Sequence, residues 1–172
     1  DRRAAGFQRG EVSLGAARPG VGKSAILGNF IRSASVDNRI PSLVITAEMS
    51  VEQVTRRVAC EMASVDGRIV RNGDIVNVPS YAGEQRRFVS AIAKISKAPI
   101  YTRYVKGMSV EEIGAVIRSH VRKYGVGFVT VDYVQLIRPM NSTGSRAYDV
   151  GEVAEALKDF AVRNNVPIVD RK

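Results

Sequence analysis

The sequence predicts a parallel α/β sheet with helices on both faces, and three observations point to it. Apolar runs of strand length alternate with stretches of helical period along the whole chain. The strongest run, "GFVTVDYVQLI", is nearly continuous in β-branched and aromatic residues, as expected of a strand covered on both faces. A glycine-rich loop separates the first apolar run from the first helical stretch. This alternation argues against a β-sandwich and against a helical bundle.

Taken in order, Val12–Ala16 reads as the first strand, followed by the glycine loop and a helix from about Lys23 to Ala34. "SLVITA", Ser42–Ala47, reads as the second strand. Ser50 then caps a helix carrying Val54, Val58 and Met62. "YAGEQRRFVSAIAKISKA" puts Phe88, Ile92 and Ile95 on one face and ends before Pro99. "IYTRYV" reads as a strand. Ser109 opens the next helix with Glu112 at the capping-box position, and Val110, Ile113, Ile117, Val121 and Tyr124 form its buried stripe. Gly125 stops that helix. After the long apolar strand comes the polar segment Arg138–Asp149, with Pro139 and Gly144, which reads as a mobile functional loop. A helix carrying Val153, Leu157 and Phe160 and a last strand, "VPIV", complete the alternation.

A chain of 172 residues, 45% hydrophobic and 25% charged, suits one soluble domain with a real core. Its longest apolar runs fall well short of the roughly 18 residues a membrane span needs, and "DRRAAGFQRG" has no signal-peptide apolar region. A cytoplasmic location without membrane attachment is the expectation. The single cysteine, Cys60, reads as a small buried residue and leaves no internal disulfide or cysteine-based metal site. Lys and Arg outnumber Asp and Glu 26 to 17, and the resulting net charge of +9 suits a polyanionic partner.

The chemistry-bearing residues begin with "ARPGVGKSA". Gly20, Gly22, Lys23 and Ser24 match a phosphate loop in which Ala17 takes the place of the first glycine, and Arg18, Pro19, Val21 and Ala25 complete the nucleotide-binding stretch. Glycines let backbone N–H groups approach the phosphates, and the following helix presents its positive end. Lys23 would neutralise the β- and γ-phosphates of ATP, while Ser24 would place its hydroxyl on Mg²⁺. Such a loop needs an acid at a nearby strand end to hold that Mg²⁺, and Asp132 ends the run "FVTVD". The alternative for Asp132 is a buried carboxylate paired with a basic residue or capping a turn. Hydrolysis also needs a carboxylate to orient or deprotonate water, and Glu48 stands directly after the second strand. An acid favoured by the dipole of the next helix is the other reading of Glu48. His120, on the apolar side of its helix, reads as a core residue. Arg138 and Arg146 flank the polar loop and are the candidates for contacting nucleic acid, whereas Arg56, Arg57, Arg118, Arg122 and Lys123 read as solvated helix surface.

In their order and spacing, "GFQRGEV", "AARPGVGKS", "ITAEMS", "VTVDYVQLI" and "DVGEVAEALKDFAVRNNVPIV" resemble the RecA-like motor domain of DnaB-type replicative DNA helicases, bacterial or phage. The resemblance runs from about Gly6 to Val169. It implies a RecA-like P-loop NTPase with Glu48 as catalytic base beside Lys23, and with Asp132 as the metal-holding Walker B residue. It further implies a ring-shaped homo-hexamer with ATP at subunit interfaces, single-stranded DNA in a central channel, and primase and a helicase loader as partners. The family's nucleotide-sensing Ser-Gln-Leu motif, its DNA-binding loop, its arginine finger, and its amino-terminal domain and linker helix have no counterpart that can be located. On this reading the chain is one RecA-like domain, incomplete at its carboxyl end. Thr102, Arg103 and Tyr104 stand where the family usually carries acidic residues.

Two other functions fit the same motifs. A RecA- or RadA-like recombinase shares the fold and the site but pairs homologous strands, which a strand-exchange assay separates from unwinding. A nucleotide-binding assembly module would bind ATP without turning it over, and the length of the natural reading frame discriminates it.

Overall fold

The structure, a computed structural model, describes residues 6–15, 23–132, 137–139 and 146–171, without the side chains at 23–25, 146–147 and 171. Five strands form one sheet: β1 (Val12–Gly15), β2 (Ser42–Thr46), β3 (Ile100–Tyr104), β4 (Phe128–Asp132) and β5 (Ile168–Arg171). Their spatial order is β1-β5-β4-β2-β3, and every pairing is parallel. All the strands therefore end at the same edge, the edge where open parallel sheets place their ligands.

Between the strands lie α1 (Lys23–Ile31), α2 (Val51–Ala63), α3 (Gly67–Arg71), α4 (Asp74–Asn77), α5 (Ala82–Ile95), α6 (Val110–Tyr124) and α7 (Arg146–Asn164). Alternation along the strands divides the core in two. Leu43, Ile45, Val129, Val131 and Ile168 face α6 and α7, whose Ile113, Ile117, Val153 and Leu157 pack onto them. Val44, Phe128 and Val169 face the other way, against Leu27 and Ile31 of α1, Val54 and Val58 of α2, and Ala91 and Ile95 of α5. Covering both faces explains why β2 and β4 are buried at every residue and read as continuous apolar runs.

The local signals act as expected. Ser50 caps α2 and Ser109 caps α6, each through a full capping box, with Gln53 and Glu112 respectively reaching back to the cap N–H. Gly125 closes α6 in the left-handed conformation at φ 65°. Glycine inside a helix costs roughly 1 kcal/mol relative to alanine. Gly114 of α6 is nonetheless required, because a Cβ there would run into the ring of Phe160 on α7.

Several boundaries differ from the sequence reading. Arg146–Asp149 belongs to α7, so the predicted loop Arg138–Asp149 is shorter at its far end. At its near end, Arg138 is anchored: its N–H donates to the Met108 carbonyl at 3.2 Å and its carbonyl accepts from Val110 N–H at 3.0 Å. Residues 140–145 of the predicted loop lie outside the described residues. The first helix ends at Ile31 and passes into a wider π-helical segment, Arg32–Asp37. There the buried Ser35 hydroxyl meets the Ile40 carbonyl at 2.9 Å and the Ser42 hydroxyl at 2.6 Å, tying the helix end to β2. The second and third strands end one residue earlier than read, at Thr46 and Tyr104, and β1 is described over Val12–Gly15, with Ala16 outside the described residues. The long apolar strand is described over Phe128–Asp132, and its expected continuation through 133–136 lies outside the described residues. The last strand begins at Ile168 rather than Val166, because Pro167 has no N–H to give to a ladder. Residues 67–81 form short helical turns that the sequence reading missed, since Gly73 and Pro79 interrupt them before any period can show. The third helix is trimmed at both ends to Ala82–Ile95.

Candidate functional site

Glu48, on the turn after β2, and Asp132, at the end of the neighbouring β4, both lie at the ligand edge of the sheet. The register pairs Thr46 with Asp132, and Ala47 N–H donates to the Asp132 carbonyl at 3.0 Å. The turn that carries Glu48 is held on both sides. Upstream, the Thr46 hydroxyl accepts from Met49 N–H at 2.9 Å and donates back to the Met49 carbonyl at 3.2 Å. Downstream, the Ser50 capping box starts α2 immediately. Glu48 is thus an exposed carboxylate on a pinned turn, whereas Asp132 is only 4% exposed. An exposed acid beside a buried one suits a division of labour in which Glu48 meets water and Asp132 holds a cation.

Asp132 fits a hard ion such as Mg²⁺ by its chemistry, an oxygen donor in a low-dielectric strand end. Among the described residues no group of three or more His, Cys, Asp or Glu converges. A magnesium ion bound through one or two protein oxygens and substrate phosphates needs none. The helix that the phosphate loop leads into packs nearby: Leu27 and Gly28 of α1, Arg57 and Val58 of α2, and Asp132 line one small cleft. Residues 17–22 themselves, and the side chains of Lys23, Ser24 and Ala25, lie outside what the structure describes.

The seam between α1 and α2 is closed by a second glycine. A Cβ at Gly28 would collide with the Glu61 carboxylate, so glycine lets α2 press an ionisable group against α1. Burial pushes the Glu61 carboxyl up from its ordinary 4.5 to about 7, against the opposing pull of the Arg57 and Arg32 guanidinium groups. The sign follows from linkage. Between about pH 4.5 and 7 the unfolded chain loses this proton before the folded one, so stability falls as pH rises through that window. Glu61→Gln is expected to remove that loss, about 1–2 kcal/mol after allowing for solvent screening at a half-buried site. Urea midpoints of both proteins measured from pH 4.5 to 8 check it, and parallel pH profiles would refute it.

Arg138 is exposed, and its backbone is tied to the start of α6, while Arg146 opens α7. His120 is buried as expected: Arg103 Nε donates to its Nε2 at 3.1 Å, leaving Nδ1 to donate to the Val116 carbonyl at 2.7 Å. Cys60 is buried, and burial pushes its thiol up. The sequence reading missed three features. Thr46 pins the Glu48 turn, and its position at a strand end just before that turn was an available signal. Asp170 is only 2% exposed on the interior strand β5, in register with Val131, and "VPIVD" gives no local sign of it. Arg56, Arg57, Arg68 and Arg71 line one cavity with Glu48, a gathering that depends on the unforeseen helix α3.

The sequence model of the family described as DnaB-like helicase C terminal domain matches residues 1–171. The replicative DNA helicase DnaC of Bacillus subtilis (strain 168) is 29% identical over 170 residues, covering 98% of this chain and 36% of the relative. The replicative DNA helicase DnaB of Geobacillus stearothermophilus matches at the same 29% identity, with 98% and 36% covered. The chain thus spans about a third of the length of these relatives. Among solved structures, one described as an ATPase domain superposes with a TM-score of 0.85 at 24% identity, over 96% of this chain and 57% of that one. A DnaB-like replicative helicase, solved with attention to its interactions with primase, gives 0.83 at 24% identity, over 96% and 39%. The expected RecA-like ATPase fold is the one these structures share with it.

Proposed function

We propose, because the chain belongs to the DnaB-like helicase C terminal domain family, that it is the ATP-hydrolysing motor portion of a replicative DNA helicase. The observation that carries the hydrolytic reading is the pairing of β2 with β4, which sets the Glu48 turn against Asp132 through the Ala47–Asp132 hydrogen bond at 3.0 Å. In this reading the amides of 17–22 and Lys23 bind the phosphates, and Glu48 orients or deprotonates the attacking water. Ser24 and Asp132 would hold Mg²⁺, which supplies neutralisation of the charge developing on the phosphate oxygens. The motor acts as a cytoplasmic homo-hexamer on single-stranded DNA, with primase and a loader as partners, and Arg138 and Arg146 contribute to the DNA contact. The net charge of +9 supports a polyanionic track. No helix among the described residues is long and apolar enough to cross a membrane.

The full-length protein is expected to hydrolyse ATP faster by about tenfold or more with single-stranded DNA, since a motor must couple site closure to its track. It should also unwind a forked duplex and show a ring-sized mass in solution with ATP. A monomer without DNA stimulation would sink the motor reading, and strand exchange without unwinding would move it to the recombinases.

A further inference from the structure

The cavity beside Glu48 is about 780 Å³, built by the turn after β2, one face of α2 and the short helix α3. Its charges are unevenly satisfied. Arg68 is neutralised by Asp66, with Nη2 to Oδ2 at 2.7 Å and Nε to the same oxygen at 3.0 Å. Nearby Arg87, outside the cavity, is also engaged, with Glu84 at 3.2 Å and the Ala63 carbonyl at 3.0 Å. The side chains of Arg56, Arg57 and Arg71 line the cavity without a hydrogen bond or close ion pair to a described residue, although Arg57 pulls on the Glu61 carboxyl and Arg71 on that of Asp66. The acids on the same walls are Glu48, Asp66, already paired, and Glu61, pressed into the α1 seam. The space thus presents surplus guanidinium groups, which favour a tetrahedral oxyanion that accepts several charge-assisted hydrogen bonds at once. Glu48, the acid assigned to the attacking water in the hydrolytic reading, is one of its lining residues.

We infer that this cavity takes the inorganic phosphate released by hydrolysis, with Arg56 and Arg71, assisted by Arg57, holding it on its way out past Glu48. The inference rests on the hydrolytic reading above. Phosphate then leaves by the α2–α3 side, separately from the diphosphate. Removing the holding charges weakens phosphate rebinding without touching the diphosphate.

The test uses the full-length protein, with inorganic phosphate and ADP as separate inhibitors of steady-state ATP turnover. Arg56→Ala combined with Arg71→Ala is expected to raise the phosphate concentration needed for half inhibition by about tenfold or more, as for losing charge-assisted contacts, with ADP inhibition changed less than about twofold. The paired Arg→Lys variant, which keeps the charge, is expected to stay within about threefold of wild type. Equal weakening of phosphate and ADP inhibition, or a wild type insensitive to phosphate, overturns the inference. Absence of ATP turnover in the wild type overturns the hydrolytic reading instead.

Discussion

Glu48→Gln is expected to lower ATP turnover by about 10²- to 10⁴-fold, the range a positioned general base supplies, while ATP still binds within about threefold of wild-type affinity. The amide keeps the shape of the carboxylate on a turn held by Thr46 and Ser50, so the fold around it has no reason to move. What is lost is the ability to accept a proton from water. Single-turnover cleavage and equilibrium binding of ATP, measured on the full-length protein, separate the two effects. Turnover within tenfold of wild type would return Glu48 to its other reading, an acid favoured by the dipole at the start of α2.

Asp132→Asn is expected to lower turnover by at least about 100-fold at low millimolar Mg²⁺, and to raise the Mg²⁺ concentration needed for half-maximal rate. The side chain is buried at the end of β4 between covered faces, where the amide keeps its place but loses the charge that draws the cation. Asparagine matches its volume and keeps one carbonyl oxygen, which is why excess Mg²⁺ is expected to restore part of the rate. A purely structural aspartate would behave differently, shifting the melting temperature and leaving the magnesium dependence of the surviving activity unchanged. The two substitutions also differ in where they act. Glu48→Gln spares the binding of metal and nucleotide, whereas Asp132→Asn weakens the metal-dependent part of binding.

The acids of this site were legible as residue types at strand ends, but their different characters were not. "ITAEMS" and "FVTVDYV" each place a carboxylate after an apolar run, and nothing local says that one is exposed and the other buried. The difference comes from position in the sheet. Asp132 is the last residue of β4, which lies between β2 and β5, whereas Glu48 has already left β2 on a turn. The arginines show a different limit. Arg56 and Arg57 read as solvated helix positions and neither is buried, but a linear pattern cannot show that α3 brings Arg68 and Arg71 to the same cavity. Arg138 and Arg146 were grouped on one loop by the turn residues between them, yet Arg138 is tied to α6 and Arg146 opens α7.

The sequence by itself determined the alternation of strands and helices, the caps at Ser50 and Ser109, the stop at Gly125, and which residues are candidates for binding phosphate, metal and water. These are set within a few residues of chain, where caps, side-chain period and glycine conformations act directly. Only the tertiary structure decided that β5, last in sequence, lies between β1 and β4, and that β2, which leads into the Glu48 turn, is the neighbour of β4 on its other side. Strand order is chosen by the apolar area that helices on both faces can bury over the whole sheet. No short stretch of chain contains that sum.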